Sequence, residues 1–201
     1  MQFKDRTPVY ELPYSAGLMA QSCWFIEFKK IVRMIAAGKT KDEIKRECLE
    51  NNLLGAVREY RAKRMYGYLI HRAAMLDERL IGLFTSGDIG TQKLINLICI
   101  VRGDRLFFEF LNEVYREKSI VGYANLDDAD FNTFFRQKGN DSDIVEAWSE
   151  STKKHLRSNY TTCMLDAGLI TMKGKLREIT RPVVDDLLIR YMKACGEESM
   201  I

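Results

Sequence analysis

Proline is scarce in this chain, and its scarcity already narrows the fold. Only three prolines occur among 201 residues, and the 168 residues between Pro13 and Pro182 contain none. All-β sandwiches usually need more turn residues of this kind. Hydrophobic residues make up 46% of the chain and charged residues 29%, so a packed core is expected and disorder is not. The composition therefore favours a mainly α-helical protein.

Long apolar runs and paired cysteines are also missing. The longest uninterrupted apolar run covers residues 97–101, whereas a membrane span needs about 20 apolar residues. The N-terminus lacks the apolar core of a signal peptide, so we expect a cytoplasmic protein without membrane contact. The five cysteines form no CxxC motif, which argues against a zinc finger or a disulfide framework. We expect them to be buried, reduced thiols.

Motifs of the common enzyme classes are absent from the sequence. It contains no GxxxxGK[ST] or GxGxxG pattern for binding phosphates and no HExxH pattern for binding zinc. A serine or cysteine triad stays open, because its members need not be adjacent in sequence. We interpret Asp127, Asp128 and Asp130 as helix-capping residues rather than metal ligands. We expect no enzyme, no catalytic residue, no cofactor and no metal site.

Hydrophobic periodicity predicts a series of helices and one hairpin. Apolar residues recur at three- and four-residue spacing, as on the buried side of a helix. Thr40 and Glu43, three residues apart, predict a capping box for the second helix. The predicted helices cover residues 18–37, 41–50, 54–76, 77–84, 89–102, 104–118, 127–139, 142–148 and 150–167. Strands are predicted at 169–172 and 176–180, joined by a turn in which Gly174 supplies a positive φ. A last helix is predicted to start at Pro182 and to pack through Val183, Leu187, Leu188 and Tyr191.

These elements predict a mainly α fold, a helical bundle with helix-turn-helix character plus a C-terminal winged-helix-like unit with one β-hairpin. The order helix, helix, hairpin is that of a winged helix, and segment 41–72 contains two helices joined at a short break. Residues 138–143 include no apolar side chain, so we place a domain boundary there. The predicted domains are an N-terminal helical domain, 1–139, and a C-terminal winged-helix-like domain, 140–201.

Positive charge is concentrated in two clusters, although the formal net charge of the whole chain is only +3. A helix fits the major groove of B-DNA, and a basic hairpin beside it reaches neighbouring phosphates. The first cluster, on the predicted helix 54–76, consists of Arg58, Arg61, Lys63, Arg64 and Arg72. The second cluster, on the helix 150–167 and the hairpin, consists of Lys153, Lys154, Arg157, Lys173, Lys175, Arg177 and Arg181. The predicted DNA-binding residues are Lys153, Lys154, Arg157, Lys173, Lys175, Arg177, Arg58, Arg61 and Arg64; a solvated charged face is the plain alternative.

Three short motifs, in order and suitably spaced, carry a resemblance to a known family. They are Tyr14-Ser15-Ala16-Gly17-Leu18, Glu50-Asn51-Asn52-Leu53-Leu54 and Trp148-Ser149-Glu150-Ser151-Thr152-Lys153-Lys154, the last followed by Leu156 and by Ala167-Gly168-Leu169-Ile170. With them the chain resembles the BrxA family of the bacteriophage exclusion (BREX) defence systems over about residues 10–190. The serine of the third motif also has a physical role, because Ser149 is a suitable N-cap for the helix that carries Lys153 and Lys154.

The resemblance implies an all-helical body with helix-turn-helix or winged-helix character. It also implies sequence-nonspecific binding of double-stranded DNA, and a role in phage defence beside a methyltransferase, an ATPase and a phosphatase-like protein. Together with the basic clusters, it predicts a non-enzymatic DNA-binding accessory protein that contacts mainly phosphates. Two alternatives stay open: a helical scaffold whose basic faces meet other defence-complex subunits, and an RNA-binding helical bundle.

Overall fold

Helices dominate the chain, as predicted. The structure, a computed structural model, describes residues 7–197; residues 1–6 and 198–201, which the predicted domains include, lie outside the described residues. The helices are α1 (Phe25–Ala36), α2 (Lys41–Leu49), α3 (Glu59–Ala73), α4 (Glu78–Ser86), α5 (Ile89–Val101), α6 (Arg105–Phe110), α7 (Glu117–Val121), α8 (Asp128–Asp141), α9 (Asp143–Glu146), α10 (Glu150–Asp166) and α11 (Asp186–Ala194). The strands β1 (Ile170–Lys173) and β2 (Leu176–Ile179) form one antiparallel hairpin. The mainly α fold with one hairpin is confirmed.

Side-chain caps set the starts of several helices where the sequence predicts them. The Thr40 hydroxyl accepts from the Glu43 N–H at 3.2 Å while the Glu43 carboxylate accepts from the Thr40 N–H at 2.8 Å, which completes a capping box for α2. Asp127 and Asp130 form a second capping box at α8, so their predicted capping role is confirmed. Ser149 caps α10 by accepting from the Thr152 N–H at 3.2 Å.

The predicted helix 18–37 is wrong in its first seven residues, about two helical turns. Residues Gly17–Ala20 form a separate 3-10 turn, and α1 begins only at Phe25. Trp24 separates the two pieces, because its φ of 40° is left-handed and interrupts the helical path. The periodicity of this segment fits one helix because both pieces bury their apolar side chains in the same core.

The aromatic centre of the core joins helices that are far apart in sequence. The Tyr160 ring of α10 lies 4.3 Å from the Phe107 ring and 5.6 Å from the Phe110 ring, measured between ring centroids. Phe110 also stacks on Phe131 at 4.4 Å and meets Phe134 edge-on at 5.2 Å, so the predicted buried face of α8 is confirmed. These contacts cross the predicted boundary between residues 139 and 140. That boundary stays a prediction.

The predicted helix 104–118 contains a wider turn in its middle. Residues Leu111–Arg116 form a π-helical segment between α6 and α7. Within this segment, the Tyr115 hydroxyl donates to the backbone oxygen of Thr180, just beyond β2. The segment therefore ties the long helical stretch to the end of the hairpin.

The hairpin has the predicted turn and one pairing partner that the sequence pattern does not reveal. Gly174, in the two-residue loop, has a φ of 63°, which confirms the glycine prediction. Ahead of α8, residues 124–126 pair with β2 through a bridge between Asn125 and Glu178. The Leu126 N–H donates to the Arg177 oxygen at 2.9 Å, and the Ile179 N–H donates to the Ala124 oxygen at 2.8 Å. Three residues are too few for a recognisable alternation.

The last helix starts later than predicted. Asp185 caps α11 by accepting from the Leu187 N–H at 2.7 Å, and the helix begins at Asp186 rather than at Pro182. The Thr180 N–H donates to the Leu169 oxygen, which keeps the preceding chain along the hairpin. The predicted packing of Val183 and Leu187 is therefore wrong, since they are 94% and 57% exposed. Leu188 and Tyr191 are buried as predicted.

Burial of a capping carboxylate predicts a measurable pH effect on stability. Asp104 caps α6 by accepting from the Phe107 N–H at 2.9 Å, and burial raises the pKa of its carboxyl from 3.8 to about 6. Between pH 4 and 6 the folded state therefore binds more protons than the unfolded state, so this group lowers the free energy of unfolding as the pH rises. Asp104→Asn keeps a capping oxygen but does not titrate. As the pH rises from 4 to 7, we therefore expect its free energy of unfolding to increase by on the order of 2 kcal/mol relative to that of wild type. Urea titrations at several pH values measure this gain, and a pH-independent difference between the two proteins contradicts it.

Candidate nucleic-acid interface

Asp128 joins the helix and the hairpin that carry the second basic cluster. Its carboxylate lies 3.1 Å from Nη1 of Arg157 on α10 and 2.8 Å from Nη1 of Arg177 on β2. The two arginines come from elements that the sequence analysis treats separately. One carboxylate at the start of α8 thus brings α10 and the hairpin to a common surface.

Several of the predicted cations on this surface already have acidic partners. Besides Arg157 and Arg177, Lys153 pairs with Glu150 at 3.1 Å and Lys173 pairs with Glu178 at 3.2 Å. The side chains of Lys153, Arg157 and Arg177 are only 22%, 20% and 18% exposed. Lys154 and Lys175 are exposed, and no acid pairs with either of them within residues 7–197. The structure thus divides the second cluster into paired and unpaired cations.

The outermost face of α10 differs from the one the charges indicate. It consists of residues spaced by three or four positions, all exposed: Ser151, Lys154, His155, Ser158 and Thr162. This face contains hydroxyls, one imidazole and one ammonium group but no carboxylate. Sequence reasoning misses it by following charge alone, although its position opposite the buried stripe of Leu156 and Tyr160 could have identified it.

The first cluster is exposed at the start of α3, with one exception. Arg58, Arg61 and Arg64 are exposed, and Lys63 pairs with Glu59 at 2.7 Å. Arg72 is buried, with 3% of its surface exposed. Its guanidinium donates to Asn96 Oδ1 at 3.1 Å and to the backbone oxygens of Ser22 and Cys23. The prediction that Arg72 belongs to the first cluster is therefore wrong.

A cleft lies between the two predicted clusters. Its volume is about 320 Å³, and its lining includes Arg61 and Arg64 of α3, Asn159 of α10 and the side chains of Trp24 and Tyr60. The Asn159 amide donates to the backbone oxygens of Leu18 and Met19, which fixes α10 against the N-terminal 3-10 turn. The cleft thus brings part of the first cluster next to the helix of the second.

The histidine, cysteine and acidic side chains do not form a candidate metal site within the described residues. Among the residues that the structure describes, no three His, Cys, Asp or Glu side chains are arranged to hold a metal ion. All five cysteines are free thiols; Cys23, Cys48, Cys99 and Cys163 are buried as predicted, whereas Cys195 is half-buried. His71 and His155 are exposed on α3 and α10.

Comparison with known proteins places the chain in a family. Residues 12–196 match the family model described as BrxA. The BREX protein BrxA of Bacillus cereus (strain H3081.97) is 33% identical over 189 residues, which cover 94% of each chain. The crystal structure of an uncharacterized protein from Magnetospirillum magneticum has the same fold, with a TM-score of 0.78, 18% identity and coverage of 93% of this chain and 95% of that one. None of the helices between residues 7 and 197 combines the length and apolar character that crossing a bilayer requires. The family model and the relative together show that this chain belongs to the BrxA family.

Proposed function

We propose that this chain is a non-enzymatic, cytoplasmic accessory protein of a BREX phage-defence system and that it binds double-stranded DNA mainly through phosphates. The observation that carries the proposal is the pairing of Arg157 and Arg177 with Asp128, because it makes α10 and the hairpin one surface. Its partners in the defence system would be other BREX subunits, such as the methyltransferase, the ATPase and the phosphatase-like protein.

The order of elements supports a winged-helix interpretation of this surface. A long helical stretch (105–121) precedes the short pairing segment 124–126, then α8, α10 and the two strands of the hairpin. The short segment pairs with β2, the second strand of the hairpin. In a winged helix the first strand likewise pairs with the third strand, which is the second strand of the wing. In such a unit α10 is the recognition helix and the hairpin is the wing, which contacts the sugar-phosphate backbone.

The chemistry of α10 suits a position in the major groove. Its outermost face contains the hydroxyls of Ser151, Ser158 and Thr162, which can hydrogen-bond to DNA without carrying negative charge; Thr162 donates to the Ser158 oxygen and is left to accept. Lys154 adds one ammonium group to this face, and Lys175 adds another at the hairpin loop. Neither needs to break an ion pair before it contacts a phosphate.

The salt dependence of binding tests the proposal. Four of the nine predicted contact residues, Lys153, Arg157, Lys173 and Arg177, contact phosphates only after they leave their acidic partners. If about five of the nine neutralise one phosphate each, the plot of log K against log salt has a slope of about −4.5. Fluorescence anisotropy with a blunt duplex measures this slope. A slope near zero rejects phosphate contact, and binding of BREX subunits without DNA binding would instead favour the scaffold.

Removal of the Asp128 carboxylate predicts a gain in DNA affinity. Asp128→Asn releases Arg157 and Arg177 from their acidic partner and removes one negative charge from the surface. We expect threefold to tenfold tighter binding, since one further phosphate contact contributes about eightfold at 0.1 M salt. Because Asp128 is 55% exposed, stability should change by no more than about 1 kcal/mol.

A matched control for this gain lies on the same helix. Asp141, exposed at the C-terminal end of α8, forms no ion pair within the described chain, and Asp141→Asn makes the same change in net charge. Anisotropy titrations at a single salt concentration compare the two variants with wild type. Equal gains in both variants would attribute the effect to net charge, and a loss of affinity in Asp128→Asn would contradict the proposed surface.

A further inference from the structure

The cleft between α3 and α10 combines two aromatic rings with two arginines. Tyr60, in the first turn of α3, is 67% exposed, although a tyrosine exposed to this extent gains little from packing. Trp24 is half-buried and adopts a φ of 40°, a conformation that non-glycine residues rarely take. Such backbone conformations concentrate at ligand sites and functional segments. Packing in the core thus does not explain Tyr60, whereas Trp24 packs against the core and its ring lies 6.2 Å from that of Tyr68, between centroids.

The positive charge of the cleft is available to a ligand. No acid pairs with Arg61 or Arg64 within the described residues, and the nearby Glu59 is engaged by Lys63. The N-cap residue Arg58 provides no side-chain hydrogen bond to α3, so the first N–H groups of this 15-residue helix add partial positive charge on the same side. Arginine binds phosphate through paired N–H donors. An anion with several oxygens is therefore the expected ligand.

An exposed tyrosine and a half-buried tryptophan beside unpaired arginines fit a nucleotide more closely than an acidic peptide. Phosphates match the arginines, and a base supplies the flat apolar surface that stacks on a tyrosine or tryptophan ring. Bases inside a duplex are stacked on each other, so only a base outside the stack reaches such rings. The volume of about 320 Å³ is at the lower end for small-molecule sites and suits one nucleotide rather than a strand.

We propose that this cleft holds one unpaired nucleotide of DNA, with its phosphate on Arg61 and Arg64 and its base against Tyr60 and Trp24. The inference rests on the proposed function for its source of DNA, because Asn159 of α10 also lines the cleft. A duplex on α10 that ends or opens nearby delivers its unpaired nucleotide to the rings. The protein then prefers duplexes with an unpaired end over blunt ones.

The test compares a blunt duplex with the same duplex carrying a short overhang that contains 2-aminopurine. We expect wild type to bind the overhang duplex about tenfold more tightly, the scale of one base stacked on a ring, and the fluorescence of 2-aminopurine to fall. Tyr60→Ala should remove both the preference and the fluorescence change, while affinity for the blunt duplex stays within about twofold. The control is Tyr10→Ala, because Tyr10 is 61% exposed and lies outside the cleft.

The results separate the two proposals. Equal affinity of wild type for both duplexes, or an unchanged preference in Tyr60→Ala, overturns the nucleotide cleft and leaves duplex binding intact. The 2-aminopurine strand is also tested alone, as a single strand. A fall in its fluorescence without binding of the blunt duplex overturns the proposed function and supports the cleft. If neither the duplexes nor the single strand bind, both proposals are overturned.

Discussion

Replacing Lys153, Lys154 and Arg157 by glutamate is expected to weaken DNA binding by about a hundredfold at 0.1 M salt. Three phosphate contacts contribute about 500-fold under these conditions through counterion release. The expected loss is smaller because Lys153 and Arg157 must leave Glu150 and Asp128 before they contact phosphates. The salt slope should also become shallower by about 2 to 3.

A control with the same change in charge separates local contact from net repulsion. Lys41, Lys45 and Arg46 are exposed on α2, and none belongs to either basic cluster. The triple glutamate variant of these residues should lose about threefold or less, since it removes no phosphate contact. Circular dichroism tests whether both variants fold. Retained affinity in the folded α10 variant would move the DNA surface away from this helix.

The first cluster offers a direct comparison with α10. Glutamates at Arg58, Arg61 and Arg64 remove three cations that have no acidic partner within residues 7–197. If α10 lies in the groove and α3 only flanks it, this variant loses less affinity than the α10 variant. The reverse order would make α3 the principal DNA contact and the hairpin a secondary one.

Local patterns were sufficient to predict most of the helices and their caps. The capping boxes at Thr40 and Asp127 depend on residues three positions apart, and the serine cap at Ser149 depends on its immediate neighbours. The turn at Gly174 likewise depends on one residue. Features of this kind are encoded within a single turn of chain, so their prediction needs no tertiary information.

Features that depend on distant contacts were not predictable from spacing. The bridge at Asn125 needs β2, which follows more than 50 residues later. Arg157 and Arg177 lie together only because both form an ion pair with Asp128. Of the candidate site, the sequence therefore indicated which cations are present on each element. It did not indicate which of them are neutralised by acids from other elements, and this decides their availability to DNA.

Arg72 shows most clearly why charge in a sequence does not establish a surface. Helical spacing places it beside Arg61 and Arg64, yet α3 turns this position toward the loop before α1 and toward α5. There the guanidinium binds three acceptors: two backbone oxygens of the loop and Asn96. Burial lowers the pKa of Arg72, but guanidinium stays charged in proteins. The residue thus holds the irregular loop at Trp24 against two helices.

We expect Arg72→Ala to lower the free energy of unfolding by on the order of 3–5 kcal/mol. The substitution removes the donor of Asn96 Oδ1 and of the Ser22 oxygen, while the Cys23 oxygen keeps the Asn96 amide as a donor at 3.2 Å. An unsatisfied buried group costs about 1–3 kcal/mol, and the empty volume of the buried side chain adds to this cost. A loss of this size is a large fraction of the stability of a typical domain, about 5–15 kcal/mol. Arg72→Lys should recover only part of it, because one ammonium group cannot reproduce the planar fork.

Urea unfolding followed by circular dichroism measures these losses, with Arg64→Ala as the control on the same helix. Arg64 is exposed, and its replacement by alanine should change stability by about 0.5 kcal/mol or less. DNA binding of the folded variants gives the opposite ranking, since Arg64 lines the cleft and Arg72 lies in the interior. A stable Arg72→Ala protein with reduced DNA affinity would return Arg72 to the basic surface, and an unstable one with normal affinity in its folded fraction assigns it to the core.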